Sequence, residues 1–151
     1  MSAFKIVNHK KQTTLKKSFS IHGYSMNINK KVYVECLPAK AGTGIVFILN
    51  NQSIKVDYEN YKKTKLHTTI LANKNVCVKT VEHVLSAFYG MNIDNVIINI
   101  HGDNQLPLLD GSSYVYAQKI LKAGIRYLSQ DRKVIKVIRP YIIKSKNKNM
   151  A

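Results

Sequence analysis

The chain has 151 residues and a formal net charge of +16, with 24 Lys plus Arg against 8 Asp plus Glu. A hydrophobic content of 45% excludes a disordered or low-complexity chain and is sufficient for a packed core. The length fits one domain, or one domain and a fragment of a second. The sequence has no apolar run of about 18 residues and no apolar region of a secretory signal. We therefore expect neither a membrane-spanning helix nor a signal peptide.

The charge balance favours an anionic partner, such as a nucleic acid, an anionic lipid surface or a phosphorylated small molecule. The alternative is genome composition, because the chain is rich in Lys, Asn, Ile and Tyr, whose codons are A/T-rich. Nucleic acid is the less favoured partner, since the lysines are scattered and the sequence has no Arg-rich helix, zinc-finger spacing or RNA-recognition aromatic motif. We expect Lys144, Lys146 and Lys148 to form a solvated basic tail.

The predicted elements begin after residues 1–11, a polar and basic segment that we expect to be a flexible N-terminus. Residues 31–37 alternate in polarity, which indicates a strand with two different faces. The Pro and Gly content of residues 38–44 predicts a loop. The apolar residues 44–49 and the alternating residues 53–58 flank an Asn-Asn turn signal, so together they predict a β-hairpin.

A short predicted strand at residues 75–79 leads into the clearest helical pattern, residues 80–90. Thr80 is placed to cap the N-terminus of this helix, and Gly90 is placed to take the left-handed position after its last residue. The order of strands, helix, strand, helix and strand indicates an α+β fold. The later predicted elements are a buried strand at 95–100, a turn at Asp110 and Gly111, a helix at 113–123 capped by Ser112 and ended by Gly124, and a strand at 133–138 stopped by Pro140.

The cysteines Cys36 and Cys77 lie in apolar alternating segments far apart in the sequence. A disulfide framework is typical of short secreted chains with more cysteines. We therefore expect two buried free thiols in a reducing cytoplasm.

Glu82 and His83 are adjacent at the start of the first predicted helix. A carboxylate and an imidazole fixed on a rigid helix end can supply a general base and a metal ligand together. The alternative is structural, because the helix dipole favours a Glu in the first turn and a lone His is more often a surface or satisfied core residue. His101 and Asp103 are a weaker metal candidate, and we expect them to be surface residues after a strand.

Three longer motifs occur in a fixed order along the chain. They are LPAKAGTGIVF at residues 37–47, TVEHVLSAFYGMNIDNVIINI at 80–100 and LPLLDGSSYVYAQKILKAGI at 106–125. In this order they resemble the N-terminal domain of the UDP-3-O-acyl-N-acetylglucosamine deacetylases, the zinc amidases of lipid A synthesis. The resemblance covers residues 12–143.

The resemblance implies the first domain of a two-domain α+β enzyme, with a small β-sheet packed against two helices, of the ribosomal S5 domain 2-like type. It implies zinc-dependent deacetylation of a UDP-linked acylated glucosamine in the bacterial cytoplasm. In this comparison His83 is a zinc ligand and Glu82 is the general base, while the other ligands, a His and an Asp four residues later, belong to the second domain. Thr68 and Thr69 are expected near the substrate, with a strand edge carrying exposed hydroxyls as the alternative.

The chain departs from the family pattern in its C-terminal part and at two earlier positions. The expected division is a flexible segment at 1–11, a first domain at 12–128, and a linker with the opening strand of a truncated second domain at 129–151. No His in the sequence has an acid four residues later, so we expect one of the three zinc ligands here. Asn27 stands where the family commonly has a His, and His67 stands where it usually has a Cys.

Several functional hypotheses follow and stay open at this point. The first is half of a deacetylase, inactive alone, whose site is completed by a second polypeptide or by self-association through an exposed inter-domain face. The second is a truncated, non-catalytic remnant. The third is a basic module that binds nucleic acid or an anionic surface. Asp110 and Gly111 are expected to form a turn rather than to take part in catalysis.

Overall fold

The computed structural model describes residues 4–26, 30–64, 68–140, 143–145 and 148–150. This part of the chain has an α+β fold, as the sequence predicts. No helix in it is long and apolar enough to cross a membrane. The strands are β1 (Phe4–Leu15), β2 (Phe19–Tyr24), β3 (Lys31–Pro38), β4 (Ile45–Leu49), β5 (Gln52–Lys55), β6 (Tyr61–Lys62), β7 (Ile70–Ala72), β8 (Cys77–Lys79), β9 (Val96–His101), β10 (Ile125–Val137), β11 (Ile143–Ser145) and β12 (Lys148–Met150). The helices are α1 (Glu82–Gly90) and α2 (Tyr114–Ala123).

A five-stranded sheet forms the centre of the fold, in the order β2-β3-β9-β4-β5. Its neighbouring strands are antiparallel except β4 and β9, which run parallel. The alternation predicted for residues 31–37 is confirmed, because Val32, Val34 and Cys36 are buried and the side chains between them are half-buried. The predicted hairpin is confirmed by the antiparallel pairing of β4 with β5.

The core combines the buried face of this sheet with the two helices. Phe47 and Ile98 of the sheet, Phe88 of α1 and Ile120 of α2 are fully buried and belong to one apolar cluster. Burying a side chain of this size contributes roughly 1.5–3 kcal/mol. Apolar contacts therefore fix both helices against the sheet, and they fix the end of α1 that carries Glu82.

β1 and β10 form a two-stranded antiparallel ribbon outside the central sheet. A ribbon of two strands is marginally stable alone in water, so it needs an anchor. Thr14 supplies one at the inner end of β1, where it is fully buried. Its hydroxyl donates to the Asn95 carbonyl at 2.7 Å and accepts a hydrogen bond from the Ala39 N–H at 2.8 Å.

The ribbon bears on two of the sequence-based expectations. Residues 4–11, expected to be part of a flexible N-terminus, instead form a strand that pairs with β10. Their mostly polar composition misled that expectation, because it shows no clear apolar alternation. The boundary expected after residue 128 falls inside β10 (Ile125–Val137). The division into domains is still a prediction.

The basic tail expected at the end of the chain includes paired backbone. β11 and β12 form a short antiparallel pair in which Lys144 lies opposite Asn149 and Lys148 lies opposite Ser145. Lys146 lies outside the described residues. The expectation that this end of the chain is solvated is still a prediction.

β6, β7 and β8 form a small second antiparallel sheet, whose last strand leads into α1. The strand predicted at residues 75–79 is confirmed for residues 77–79. Lys79, at the end of β8, also makes a parallel bridge with Gln105. This small sheet therefore determines where α1 begins.

α1 begins and ends differently from the sequence-based prediction, whereas α2 ends as predicted. The N-cap of α1 is Val81, and the helix has no side-chain cap from Thr80. Gly90 is the last helical residue of α1, and the left-handed conformation falls on Asn92, with φ of 57°. Gly124 follows α2 directly and has φ of 75°.

The two cysteines are both free, and their burial differs. Cys36 is fully buried, whereas Cys77 is half-buried, so the expectation of two buried thiols is wrong for Cys77. Burial raises the pKa of the Cys36 thiol far above its usual range, and the charge of Glu35 raises it further. The thiolate is the reactive form of cysteine, so Cys36 is chemically protected in the folded chain.

We expect a soluble thiol reagent to modify Cys77 in the folded protein and to leave Cys36 unmodified until the chain unfolds. The reason is that Cys36 lacks both access and a thiolate. The number of reacted thiols is counted by absorbance with and without denaturant. Cys77→Ser should abolish the reaction in the folded state and Cys36→Ser should preserve it. Rapid modification of Cys36 in the folded chain would contradict its burial.

Asp94 holds β1 and β10 against the segment that leads into β9. Its Oδ2 accepts hydrogen bonds from the Thr13 N–H and from Arg132 Nη2, each at 2.8 Å. The side chains of Arg132 and Asp94 are only 22% and 23% exposed. The Lys11–Asp131 ion pair on the same ribbon is 53% and 43% exposed. Shielded charged hydrogen bonds contribute more than solvated ion pairs, so Asp94 is the stronger clamp.

Replacing Asp94 with Ala is expected to lower the free energy of unfolding by about 2–3 kcal/mol. The change leaves the Arg132 guanidinium and the Thr13 N–H without their carboxylate partner. Denaturant unfolding followed by circular dichroism measures the loss. Asp131→Ala is the matched control, and it should cost less than about 1 kcal/mol because its ion pair is exposed. Equal losses for the two variants would contradict the conclusion that Asp94 stabilises the ribbon more than Asp131 does.

Candidate active site

Glu82 and His83 lie in the first turn of α1, where the sequence places them. His83 Nε2 is 4.0 Å from Glu82 Oε1. The His83 side chain is 22% exposed and the Glu82 side chain is 32% exposed. A carboxylate and an imidazole therefore lie side by side, and both are held by the helix while remaining accessible to a ligand.

The Glu82 carboxylate is fixed by the backbone of Thr69. The Thr69 N–H donates to Glu82 Oε2 at 2.9 Å. This bond occupies one carboxylate oxygen and leaves Oε1, the oxygen closer to His83, for another partner. The helix dipole also favours negative charge in the first turn. A carboxylate held in this way suits proton transfer at a defined position.

The structure brings both predicted threonines to the start of α1, through different groups. Thr69 contacts Glu82 through its backbone N–H, whereas Thr68 contacts Thr80 through its hydroxyl. The two hydroxyl oxygens of Thr68 and Thr80 are 3.1 Å apart. The side chains of Thr68 and Thr69 are half-buried. Their contact with a substrate is still a prediction.

Thr80 is buried and has a left-handed backbone, with φ of 59°. A β-branched residue in this region is a conformational outlier. Gln105 Nε2 donates to Thr80 Oγ1 at 2.9 Å, and Gln105 is itself buried. Sequence reasoning missed Gln105, because a single Gln in a loop belongs to no motif. It also assigned the Thr80 hydroxyl to the helix cap.

Asp110 forms the turn predicted before α2, and it also lies close enough to His83 for their charges to interact. Its Oδ1 accepts hydrogen bonds from the N–H and the hydroxyl of Ser112, each at 3.0 Å. These bonds, the backbone one first, lower the pKa of the exposed Asp110 carboxyl, and the charge of His83 adds to the effect. Ser112 Oγ accepts a hydrogen bond from the Tyr114 N–H at 3.0 Å, so Ser112 satisfies the start of α2, although Ser113 is the N-cap residue.

The described ranges contain no group of three or more His, Cys, Asp or Glu side chains that could hold a metal ion. His83 therefore offers one imidazole, with the Glu82 carboxylate beside it. A catalytic zinc takes three protein ligands and an open position, so these residues fit part of a zinc site and not a complete one. His67 and Asn27, the two departures noted in the sequence, lie outside the described residues.

His101 is exposed, as expected, but it is the last residue of β9, whereas Asp103 follows the strand and is half-buried; both have contacts within the chain. The His101 ring packs on Tyr33 at a centroid distance of 5.6 Å. Asp103 Oδ1 accepts a hydrogen bond from the Asn104 N–H at 2.8 Å. His101 and Tyr33 line a cleft of about 530 Å³ on the sheet, to which neither Glu82 nor His83 contributes.

Comparison with known proteins identifies the family. The family model described as UDP-3-O-acyl N-acetylglycosamine deacetylase matches residues 12–151. UDP-3-O-acyl-N-acetylglucosamine deacetylases from Lawsonia intracellularis, Solibacter usitatus and Teredinibacter turnerae are 35%, 32% and 37% identical to the chain. The alignments cover 85%, 93% and 93% of this chain, but 43%, 48% and 47% of those proteins, so the chain spans less than half the length of these relatives. Because the family model matches most of this chain, the chain belongs to the UDP-3-O-acyl N-acetylglycosamine deacetylase family.

Proposed function

We propose that this chain forms one part of the active site of a zinc-dependent deacetylase of lipid A biosynthesis. The family to which it belongs is zinc-dependent. The observation that carries the proposal is the pair at the start of α1, where the Thr69 N–H holds the Glu82 carboxylate 4.0 Å from His83. From the names of the relatives, the proposed substrate is UDP-3-O-acyl-N-acetylglucosamine, and the bond that is cleaved is its N-acetyl amide.

His83 supplies one of the zinc ligands in this proposal. Its imidazole suits the role, because the helix fixes its base while 22% of the side chain remains exposed. When bound, zinc polarises the amide carbonyl and makes its bound water more acidic. The remaining protein ligands come from residues outside the described ranges, in the same protein or in a second polypeptide.

Glu82 is the general base in the proposed reaction. Its Oε1 takes a proton from the attacking water, while the Thr69 N–H keeps Oε2 in place. The same oxygen then gives the proton to the leaving nitrogen, so the products are acetate and an amine. Because the carboxylate is already fixed in the free chain, little of its freedom is lost when substrate binds.

The charge of the chain suits the proposed substrate. A net charge of +16 attracts the diphosphate of a UDP-linked sugar and raises its local concentration. Thr68 and Thr69, beside Glu82, are proposed to contact the substrate. A cytoplasmic location is proposed with this function, on the family resemblance.

Exposed apolar side chains offer a surface to the polypeptide that brings the remaining ligands. On the ribbon, Ile6, Ile135 and Val137 are 66%, 68% and 67% exposed. Ile6 lies opposite Ile135, and Val137 is two residues further along, so the three share one face. We propose that this face of the ribbon is covered by that polypeptide or, in its absence, by a second copy of the chain.

Reconstitution of the site from two polypeptides tests the proposal. The second polypeptide is the part of the Teredinibacter turnerae relative that lies outside its match to this chain. We expect the mixture to hold about one zinc per pair after dialysis against a weak chelator and to release acetate from the substrate, and the chain alone to hold far less zinc. His83→Ala should lower the zinc content. Glu82→Gln should retain zinc and lower the rate of deacetylation by roughly 10²–10⁴-fold.

His101→Ala is the control for a lost imidazole, because His101 packs on Tyr33 away from the site. It should change neither zinc content nor the rate of deacetylation. The proposal fails if His83→Ala leaves the zinc content of the mixture unchanged. It fails equally if Glu82→Gln retains the full rate.

The isolated chain is expected to self-associate as its concentration rises, through the apolar face of the ribbon. Replacing Ile135 and Val137 with Thr keeps the β-propensity and removes apolar surface, so sedimentation velocity should show a shift toward monomer. Tyr58→Ser is the control, because Tyr58 is 90% exposed but lies outside the ribbon and the helices. A monodisperse wild-type monomer at high concentration would be the opposite result.

A further inference from the structure

The junction between β8 and α1 sets the direction in which α1 begins, and with it the position of Glu82 and His83. β8 ends at Lys79 and α1 begins at Glu82, so only Thr80 and Val81 connect them. Val81 already has helical torsion angles, with φ of −85° and ψ of −13°. The change of direction therefore falls on Thr80, at φ of 59°. A rotation at Thr80 would move Glu82 and the following helical residues together.

Thr80 holds this conformation through its contacts, because a β-branched residue does not favour positive φ. Its N–H donates to the Thr69 carbonyl at 3.0 Å and lies 3.1 Å from Thr68 Oγ1. Its hydroxyl oxygen lies 3.1 Å from Thr68 Oγ1 and accepts the hydrogen bond from Gln105 Nε2 at 2.9 Å. Thr68 and Thr69 precede α1 in the sequence, whereas Gln105 follows it.

The backbone on either side of Gln105 is fixed to β8. The Lys79 N–H donates to the Asn104 carbonyl at 2.8 Å, and the Leu106 N–H donates to the Lys79 carbonyl at 3.0 Å. Gln105 itself is only 6% exposed. A buried amide that lost the Thr80 hydroxyl could not replace it easily with water, so this bond is costly to break.

We propose that Gln105 is a positioning residue for the Glu82–His83 pair. Its amide fixes the Thr80 hydroxyl, and Thr80 fixes the direction in which α1 begins. That direction brings Glu82 Oε2 onto the Thr69 N–H. The consequence for deacetylation rests on the proposed function, whereas the positioning itself does not. The Thr69 amide therefore reports the position of Glu82 without metal or substrate.

Hydrogen exchange of the Thr69 amide, measured by NMR on the full chain, tests the proposal. Gln105→Met keeps the length and burial of the side chain but cannot bond to Thr80. It should speed exchange at Thr69 by about fivefold or more, the factor that corresponds to one net hydrogen bond. Gln105→Glu keeps an oxygen that can accept a hydrogen bond from the Thr80 hydroxyl, so exchange at Thr69 should stay slow in this variant.

A second pair of variants approaches the same bond from Thr80. Thr80→Ser keeps the hydroxyl and should leave exchange at Thr69 near the wild-type rate. Thr80→Val keeps the branched shape without the hydroxyl and should speed exchange as Gln105→Met does. This pair decides the result if Gln105→Met does not fold.

Thr14→Val is the matched control for loss of a buried hydroxyl. Thr14 is fully buried and bonds to Asn95 and Ala39, neither of which is among the hydrogen-bond partners given above for Thr80. It should lower the stability of the whole chain without speeding exchange at Thr69 relative to the core amide of Ile98.

Unchanged exchange at Thr69 in both Gln105→Met and Thr80→Val would overturn the proposal, as would an equal change in Thr14→Val. If wild-type reconstitution yields no deacetylation, that result counts against the proposed function and leaves the exchange result standing. If deacetylation is obtained, Gln105→Met should lower kcat, because it displaces the base.

Discussion

The left-handed backbone of Thr80 is the constraint on which the arrangement of the site depends. Because Val81 is already helical, Thr80 alone must turn the chain from β8 into α1. A conformation of this kind costs of order 1–3 kcal/mol and persists only where its surroundings over-determine it. Thr68, Thr69 and Gln105 hold Thr80 in this conformation through hydrogen bonds. The conformation of Thr80 in turn determines where Glu82 lies, beside the Thr69 N–H.

The segment between β9 and α2 connects this junction to the core. Pro107 lies so close to Gly23 that a Cβ there would come within 2.5 Å of the Pro107 Cβ. The Tyr116 hydroxyl donates to the Pro107 carbonyl at 3.3 Å, and burial raises the pKa of Tyr116, so the group stays protonated as a donor. Gln105 and Asp110 lie on either side of Pro107. The segment is therefore fixed by the sheet, by β8 and by α2.

The helices, β3 and the β4–β5 hairpin could be predicted because their side chains follow the period of the element. The position of Glu82 and His83 at the start of a helix could be predicted because they lie in one contiguous motif. β1 could not, since its side chains are mostly polar and its pairing partner is near the other end of the sequence. Thr80 and Gln105 could not either, because a Thr before a helix suggests a cap. Its positive φ and its bond to a residue 25 positions away become visible only in three dimensions.

In the proposed enzyme the two functions at the start of α1 differ in what they require. Glu82 is held by a backbone N–H, and Thr80 is held by buried hydrogen bonds, so the base keeps its position without a metal. A zinc site forms only when its ligands come together, because one imidazole alone binds weakly. The base is therefore preorganised and the metal site is assembled. A partner then has to order only its own ligands around His83, which lowers the entropic cost of assembly.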